Sequence, residues 1–358
     1  MITDKPIKVL VVGCGHMGTS HALAYHQSAE FEIVGLVSRG ESSRARLAEA
    51  LGGYPTFDNF STALTETHPD AVCVCTYPDT HALYASEALE AGCHVFLEKP
   101  LGLTVKEAEE LVALSVKVDR RLLVGYILQY HPAWMRFVDE AQNLGKPLVM
   151  RMNLNQQSSG SEWESHKNIM QSMSPMVDCG VHYIDVMCRM TQAKPVRVHG
   201  ITARCSEELP EGMYNYGQLQ VGFDDGSVGW YEAGWGPMMS KVAFFVKDVV
   251  GPNGCVSIVA DTSTLKDSAD VNAHTKTDSL LVHHASLDQT GQFSKSDTTI
   301  ATGDEPDHDA LCALEQAFFA RAISGNLDLT AHLDSAVLSL KVVLAAEQSA
   351  KSGQVVDL

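Results

Sequence analysis

The sequence predicts an α/β protein in two domains: an N-terminal doubly wound parallel sheet, then a C-terminal α/β domain with a large, mainly antiparallel open sheet. Three observations carry this. The apolar run Val9-Leu10-Val11-Val12 stops at Gly13-Cys14-Gly15-His16-Met17-Gly18, which reads as strand, glycine turn and helix start. Strand and helix patterns alternate from there to Tyr126, as a parallel sheet requires. Beyond residue 127, alternating strands joined by hairpin turns dominate. The domains expected are 1–126 and 127–358, with the last helices packing back toward the N-terminal domain.

Gly13 and Gly15 allow a tight turn that comes close to a pyrophosphate, and Gly18 lets the following helix pack on its strand. Free amides at the helix start, around His16 and Met17, suit an anion. This context favours a Rossmann dinucleotide site over a purely structural turn. The second strand, 32–37, ends at Ser38-Arg39-Gly40, where an NAD-preferring site usually carries Asp or Glu for the ribose hydroxyls. Neither is present. Ser38 and Arg39 suit a 2′-phosphate, so the expected cofactor is NAD(P) with a lean to NADP; otherwise Arg39 is a solvated charge or stacks on adenine.

At 358 residues and 45% hydrophobic content the chain is long enough for two cores. A net charge of −18 disfavours nucleic acid and anionic membranes, although a few basic groups and backbone amides still serve a nucleotide. No apolar run approaches the roughly 20 residues of a membrane span, and Asp4 and Lys5 precede the first strand. Nine cysteines show no paired framework and no CxxC. A cytoplasmic protein with reduced thiols is expected.

In chain order, a helix over 43–51 and a minor strand and short helix over 54–67 lead to a central strand, 71–75. Its end loop, Thr76-Tyr77-Pro78-Asp79-Thr80-His81, offers Thr76, Tyr77, Pro78 and His81 to the cofactor, unless Asp79 and Thr80 only cap a helix and His81 lies on the surface. Strand 93–97 ends in Glu98-Lys99-Pro100, and Thr104 with Glu107 forms a capping box. Lys99 either donates to a substrate hydroxyl or snorkels to solvent. The last strand of this alternation covers 122–126.

The second half opens with a helix over 131–142 and a strand over 147–155. The polar stretch 156–174 reads as a long loop in which Trp163, His166 and Lys167 are candidate substrate contacts. A helix over 175–190 sets Asp178, His182 and Asp185 on one face, which is either a site or an ordinary solvated face. Hairpins are expected around Asp224-Asp225-Gly226 and, with strands 242–250 and 255–260, around Gly251-Pro252-Asn253-Gly254. Trp230, Trp235 and Phe244 suggest a sheet face covered by a partner subunit. Residues 261–306 read as mostly irregular. His283-His284 has no further ligand at useful spacing, so no metal is expected. Helices over 309–324 and 333–351 close the chain.

Taken together, Gly13 to Gly18, Glu98-Lys99-Pro100, and Asp178-Cys179-Gly180-Val181-His182 followed by Asp185 resemble the glucose-fructose oxidoreductase, inositol dehydrogenase and rhizopine-catabolism (Gfo/Idh/MocA) family over essentially the whole length. The resemblance implies a catalytic set of Lys99, His182 and Asp178: His182 for proton transfer, Lys99 on the reacting oxygen, Asp178 placing the substrate. It sets Glu98 near the nicotinamide ribose. It also implies a homodimer or homotetramer built through the C-terminal sheet. Two departures stand out: Ser174-Pro175-Met176 replaces the usual paired glycines before the motif's Asp, and the acidic residue after the second strand is absent.

The chemistry suits those roles. Hydride removal from a secondary alcohol requires loss of the hydroxyl proton, which an imidazole takes near neutral pH while a lysine stabilises the developing charge. The expected function is an NAD(P)-dependent oxidoreductase acting on a sugar, sugar derivative or cyclitol. The alternatives are a glycoside hydrolase working by transient oxidation, elimination, hydration and re-reduction, and a non-enzymatic cofactor-sensing regulator. An intact Lys99 and His182 count against the regulator.

Overall fold

The computed structural model describes residues 5–240, 246–259 and 275–358. The chain divides into two compact units: Met1–Ile127 with Pro306–Val337, and Leu128–Glu305 with Leu338–Leu358.

The first unit alternates β1 (Ile7–Val12), α1 (His16–Gln27), β2 (Phe31–Val37), α2 (Glu41–Ala50), β3 (Thr56–Phe57), α3 (Phe60–Thr67), β4 (Ala71–Val74), α4 (His81–Glu90), β5 (His94–Leu97), α5 (Val105–Lys117) and β6 (Leu122–Val124). All strands are parallel, in the order β3-β2-β1-β4-β5-β6. That is the doubly wound order of dinucleotide folds, whose ligand crevice lies beyond the carboxyl ends of the strands. Val9 to Val12 and Ala71 to Val74 are buried throughout because both faces of a central parallel strand are covered. The capping box forms: Glu107 N–H donates to Thr104 Oγ1 at 3.1 Å, and Thr104 N–H donates to Glu107 Oε2 at 3.0 Å.

The second unit starts with α6 (Pro132–Gln142), β7 (Val149–Gln157), α7 (Gly160–Met170), α8 (Pro175–Asp178) and α9 (Gly180–Thr191). It continues with β8 (Pro195–Ala203), β9 (Tyr216–Phe223), β10 (Val228–Gly236), β11 (Lys247–Gly251), β12 (Gly254–Val259), β13 (Ser279–His284) and β14 (Thr298–Ala301). Then α10 (His308–Ser324) belongs to the first unit, where Phe319 packs against Phe31 and Phe96. The chain closes with α11 (Thr330–Ser352) and β15 (Val356–Asp357). The second sheet runs β14-β13-β12-β11-β7-β10-β9-β8-β15, antiparallel except where β7 meets β10.

Three sequence expectations need correction. The stretch 156–174 is not a loop: β7 runs to Gln157 and α7 follows, with Trp163 and Met170 buried on one side. The helix expected over 175–190 is interrupted at Cys179, leaving a single capped turn before α9. Within 261–306, Ser279–His284 and Thr298–Ala301 are strands that extend the sheet. Phe244, the start of the strand expected at 242, and residues 261–274 lie outside the described residues.

Candidate active site

The glycine turn follows β1 directly. Gly13 has φ +99, and a Cβ there would lie 2.3 Å from the Cys75 carbonyl oxygen, so only glycine fits. A Cβ on Gly18 would lie 1.7 Å from the Gly13 oxygen, which is how closely α1 approaches the turn. Gly15 differs: nothing stands within 4 Å of its Cβ position, so it faces open space. It is also the N-cap of α1, makes no side-chain cap, and no acidic residue occupies the first turn. Uncapped amides and a clear approach fit a dinucleotide pyrophosphate.

The other cofactor candidates stand at the carboxyl ends of neighbouring strands. After β2, Ser38 Oγ lies 3.1 Å from Ser43 Oγ, and Arg39 is exposed. Arg44, which the sequence reading passed over, donates from Nη1 to the carbonyls of Ser38 at 2.9 Å and Arg39 at 3.2 Å, bracing the loop. Its position in the first turn of α2, just past that loop, was the available signal. After β4, Thr80 donates to Thr76 Oγ1 at 2.7 Å, Tyr77 is 46% exposed and Pro78 is buried. His81 is neither a surface residue nor open to a cofactor: it is fully buried, its ring nitrogens 2.8 Å from the Pro100 carbonyl oxygen and 3.0 Å from that of Thr76. Burial lowers its pKa.

After β5 comes the Glu98-Lys99-Pro100 turn. Glu98 is buried, its Oε1 2.8 Å from Nε2 of the fully buried His21, and its Oε2 accepts the Lys99 backbone N–H at 3.1 Å. Lys99 itself is half-buried. Behind His21, the Gln316 amide spans Tyr25 and the imidazole, 2.6 Å from the one's hydroxyl and 2.9 Å from the other's Nδ1. Burial opposes protonation of His21, but the Glu98 hydrogen bond and the field of Cys73 and Glu98 prevail and raise its pKa to about 9. Glu315, also buried, is pushed well above the carboxylate range by desolvation. Among the described residues His21, Cys312 and Glu315 bring ligand atoms within 4.8 Å of one another, but both nitrogens of His21 already face Glu98 and Gln316. Metal coordination would have to break that chain.

In the second unit, Ser174 caps α8 by accepting the Val177 N–H at 3.2 Å, with Pro175 at the first helical position. This cap takes the place of the paired glycines absent from the sequence. Asp178 ends that turn and accepts the Cys179 thiol at 3.2 Å; His182, half-buried, follows in the first turn of α9. Asp185 accepts from Gln129 Nε2 at 3.0 Å on both carboxylate oxygens. His166 stacks on Trp235 at 4.5 Å and lies 2.9 Å from Ser158 Oγ. Burial lowers its pKa to about 4 against the pull of Asp178, so near neutral pH it offers no positive charge to an acid group.

Trp163 and Lys167, the other candidate substrate contacts, are engaged by neighbouring side chains. Trp163 is 4% exposed and donates from Nε1 to Glu208 at 3.2 Å. Lys167 pairs with Glu164 at 2.7 Å and Glu208 at 2.8 Å, which keeps it charged and offsets that charge locally. A group missed in the sequence is Lys247, buried beside the Tyr183 ring at 5.8 Å and donating to the Asn153 carbonyl at 3.1 Å; burial lowers its pKa to about 7.

A glycine turn at a helix start and a lysine turn two strands away on the same sheet define a dinucleotide-fold architecture. The chain belongs to the GFO/IDH/MocA family: residues 7–126 match its oxidoreductase domain with NAD-binding Rossmann fold, and residues 135–254 match its C-terminal domain. The chain is similar to the D-glucoside 3-dehydrogenase of Escherichia coli, 27% identical over 188 residues, covering 51% of this chain and 54% of that protein. It is likewise similar to the inositol 2-dehydrogenase of Klebsiella pneumoniae, 28% identical over 187 residues, covering 51% of this chain and 53% of the relative. The chain thus spans about half the length of these curated relatives. Its fold is similar to that of scyllo-inositol dehydrogenase from Lactobacillus casei, solved with NAD(H) and scyllo-inositol, at TM-score 0.75 and 19% identity over 99% of both chains. An oxidoreductase from Thermotoga maritima matches at TM-score 0.78 and 20% identity over 98% of both.

Proposed function

We propose that this protein is an NAD(P)-dependent dehydrogenase or reductase acting on a secondary hydroxyl or keto group of a sugar, sugar derivative or cyclitol. The observation that carries the reading is an alignment within the first unit. β1, β4 and β5 are adjacent and parallel, so the Gly13, Thr76 and Lys99 turns follow one another along one sheet edge. An edge of this kind takes a dinucleotide and sets a cation beside its reactive end.

Gly13, Gly15, His16, Met17 and Gly18 hold the pyrophosphate, Thr76, Tyr77 and Pro78 lie along the cofactor, and Glu98 serves the ribose next to the nicotinamide. The bound nicotinamide supplies the hydride acceptor or donor. Lys99 donates a hydrogen bond to the reacting oxygen and favours its deprotonated form, His182 takes or returns the hydroxyl proton, and Asp178 orients the substrate. His166, neutral and backed by Trp235, offers a hydrogen bond rather than a charge, which suits a polyol better than an acid. Ser38 and Arg39, with Arg44 bracing their loop, support NADP over NAD.

The open face of the second sheet supports a homo-oligomer. Val250, Val149 and Val228 are cross-strand neighbours on it, each at least 39% exposed. An apolar row of this kind suits a second copy. Among the described residues no helix is long and apolar enough to cross a membrane.

The testing experiment supplies both oxidised cofactors with a panel of polyols, aldoses and glycosides, following reduced nicotinamide and released aglycone together. Net reduction with a sugar or cyclitol is the expected result. Aglycone release without net reduction would make the enzyme a redox-neutral glycosidase.

A further inference from the structure

The turn that presents Lys99 is gripped from beneath on both sides. On one side Glu98 divides its carboxylate, one oxygen on His21 Nε2 at 2.8 Å and the other on the Lys99 amide at 3.1 Å. On the other side His81 sits between the β5 and β4 turns, its ring nitrogens 2.8 Å from the Pro100 carbonyl oxygen and 3.0 Å from that of Thr76; the neutral ring has one N–H, so it donates to one carbonyl and packs against the other. Both imidazoles are fully buried, and Gln316 and Tyr25 fix the far edge of His21. A buried carboxylate needs donors, and a rigid partner leaves it one orientation.

We propose that His21 and His81 are positioning residues of the Lys99 turn: His21 orients Glu98, Glu98 holds the Lys99 backbone, and His81 fixes Pro100. The ammonium then leaves the sheet from a fixed backbone, and a rigidly supported group keeps its reactive geometry without reorganisation. The value of this clamp to turnover rests on the proposed role of Lys99; the clamp itself does not.

The test is amide hydrogen exchange on the full chain, comparing wild type with His21→Leu, which removes the donor, and His21→Gln, which restores one near the position of Nε2. In His21→Leu, exchange over residues 97–104 is expected to rise about tenfold while β1, β4 and β6 keep their protection, and His21→Gln recovers most of it. With a turned-over substrate, kcat should fall about 100-fold in His21→Leu while KM for the cofactor moves less than about threefold. Unchanged exchange in the turn, or a rise spread equally over the sheet, overturns the proposal. Should His21→Leu not fold, His81→Asn decides by the same criterion, applied to residues 76–80 and 98–104. Exchange needs no substrate, so a wild-type chain inactive on every sugar and cyclitol would defeat the functional reading while the clamp is still judged by its own measurement.

Discussion

Glu98 Oε1 lies 2.8 Å from Nε2 of His21, a residue 77 positions earlier, and the other oxygen of the same carboxylate accepts the Lys99 amide. One buried side chain therefore couples the helix that follows the glycine turn to the turn that carries the proposed catalytic lysine. The consequences for stability and cofactor binding are separable, because different groups around this relay face protein and open space.

The glycines of the first turn divide accordingly. Gly13→Ala should cost about 1–3 kcal/mol in a denaturant titration, since its φ is left-handed and a Cβ would strike the Cys75 carbonyl. Gly15→Ala meets no atom and should leave the unfolding midpoint unchanged. It should still weaken reduced-cofactor binding about tenfold in a fluorescence titration, by crowding the anion's approach.

Arg39→Ala should weaken NADP about 10- to 100-fold, the loss of one charge-assisted contact, and change NAD by much less. Arg44→Ala, which frees the carbonyls of Ser38 and Arg39, should weaken both cofactors. Equal effects of Arg39→Ala on the two would mean that it reads only the adenine.

Stability should fall toward both acid and alkali. His94, desolvated by burial and facing Arg120 and Arg121, and His166 take up a proton near pH 6.5 when unfolded but only near about 4 when folded, so each removes stability as pH falls from 6.5 toward 4. His21 has the opposite sign: its raised folded pKa contributes fully below pH 6.5, and that contribution is lost as pH rises through about 9. Thermal melts at constant ionic strength should show His166→Gln flattening the acid limb and His21→Gln the alkaline limb.

Val149→Lys combined with Val228→Lys puts two charges in the exposed valine row of the second sheet. Sedimentation should show the proposed oligomer converted to monomer with the far-ultraviolet spectrum retained. An unchanged oligomer would place its interface elsewhere.

Much of the first unit was legible in the sequence because its signals are local. Glycines 13 to 18 follow their strand at once, Thr104 and Glu107 cap their own helix, and the fully apolar 71–74 can only be a central strand. The second unit was harder. Trp163 and Met170 stand seven apart, a helical repeat, but the polar residues between them made α7 look like a loop. The roles of His21 and His81 had no local signal, since Glu98 and Gln316 are 77 and 295 positions from His21. The ring nitrogens of His81 face backbone carbonyls, which leave no mark in the sequence. Arg44 and Lys247 were missed for the same reason: a lone basic residue in an α2 or β11 pattern does not disclose whether it braces a loop or is buried.

The most direct measurement is the rate of nicotinamide reduction by Lys99→Ala and His182→Ala, beside a titration of each with reduced cofactor, using a substrate the wild-type chain turns over. The proposed mechanism predicts loss of turnover by about 100-fold or more in both variants, with cofactor affinity within about threefold of wild type. Wild-type turnover in either variant would contradict it.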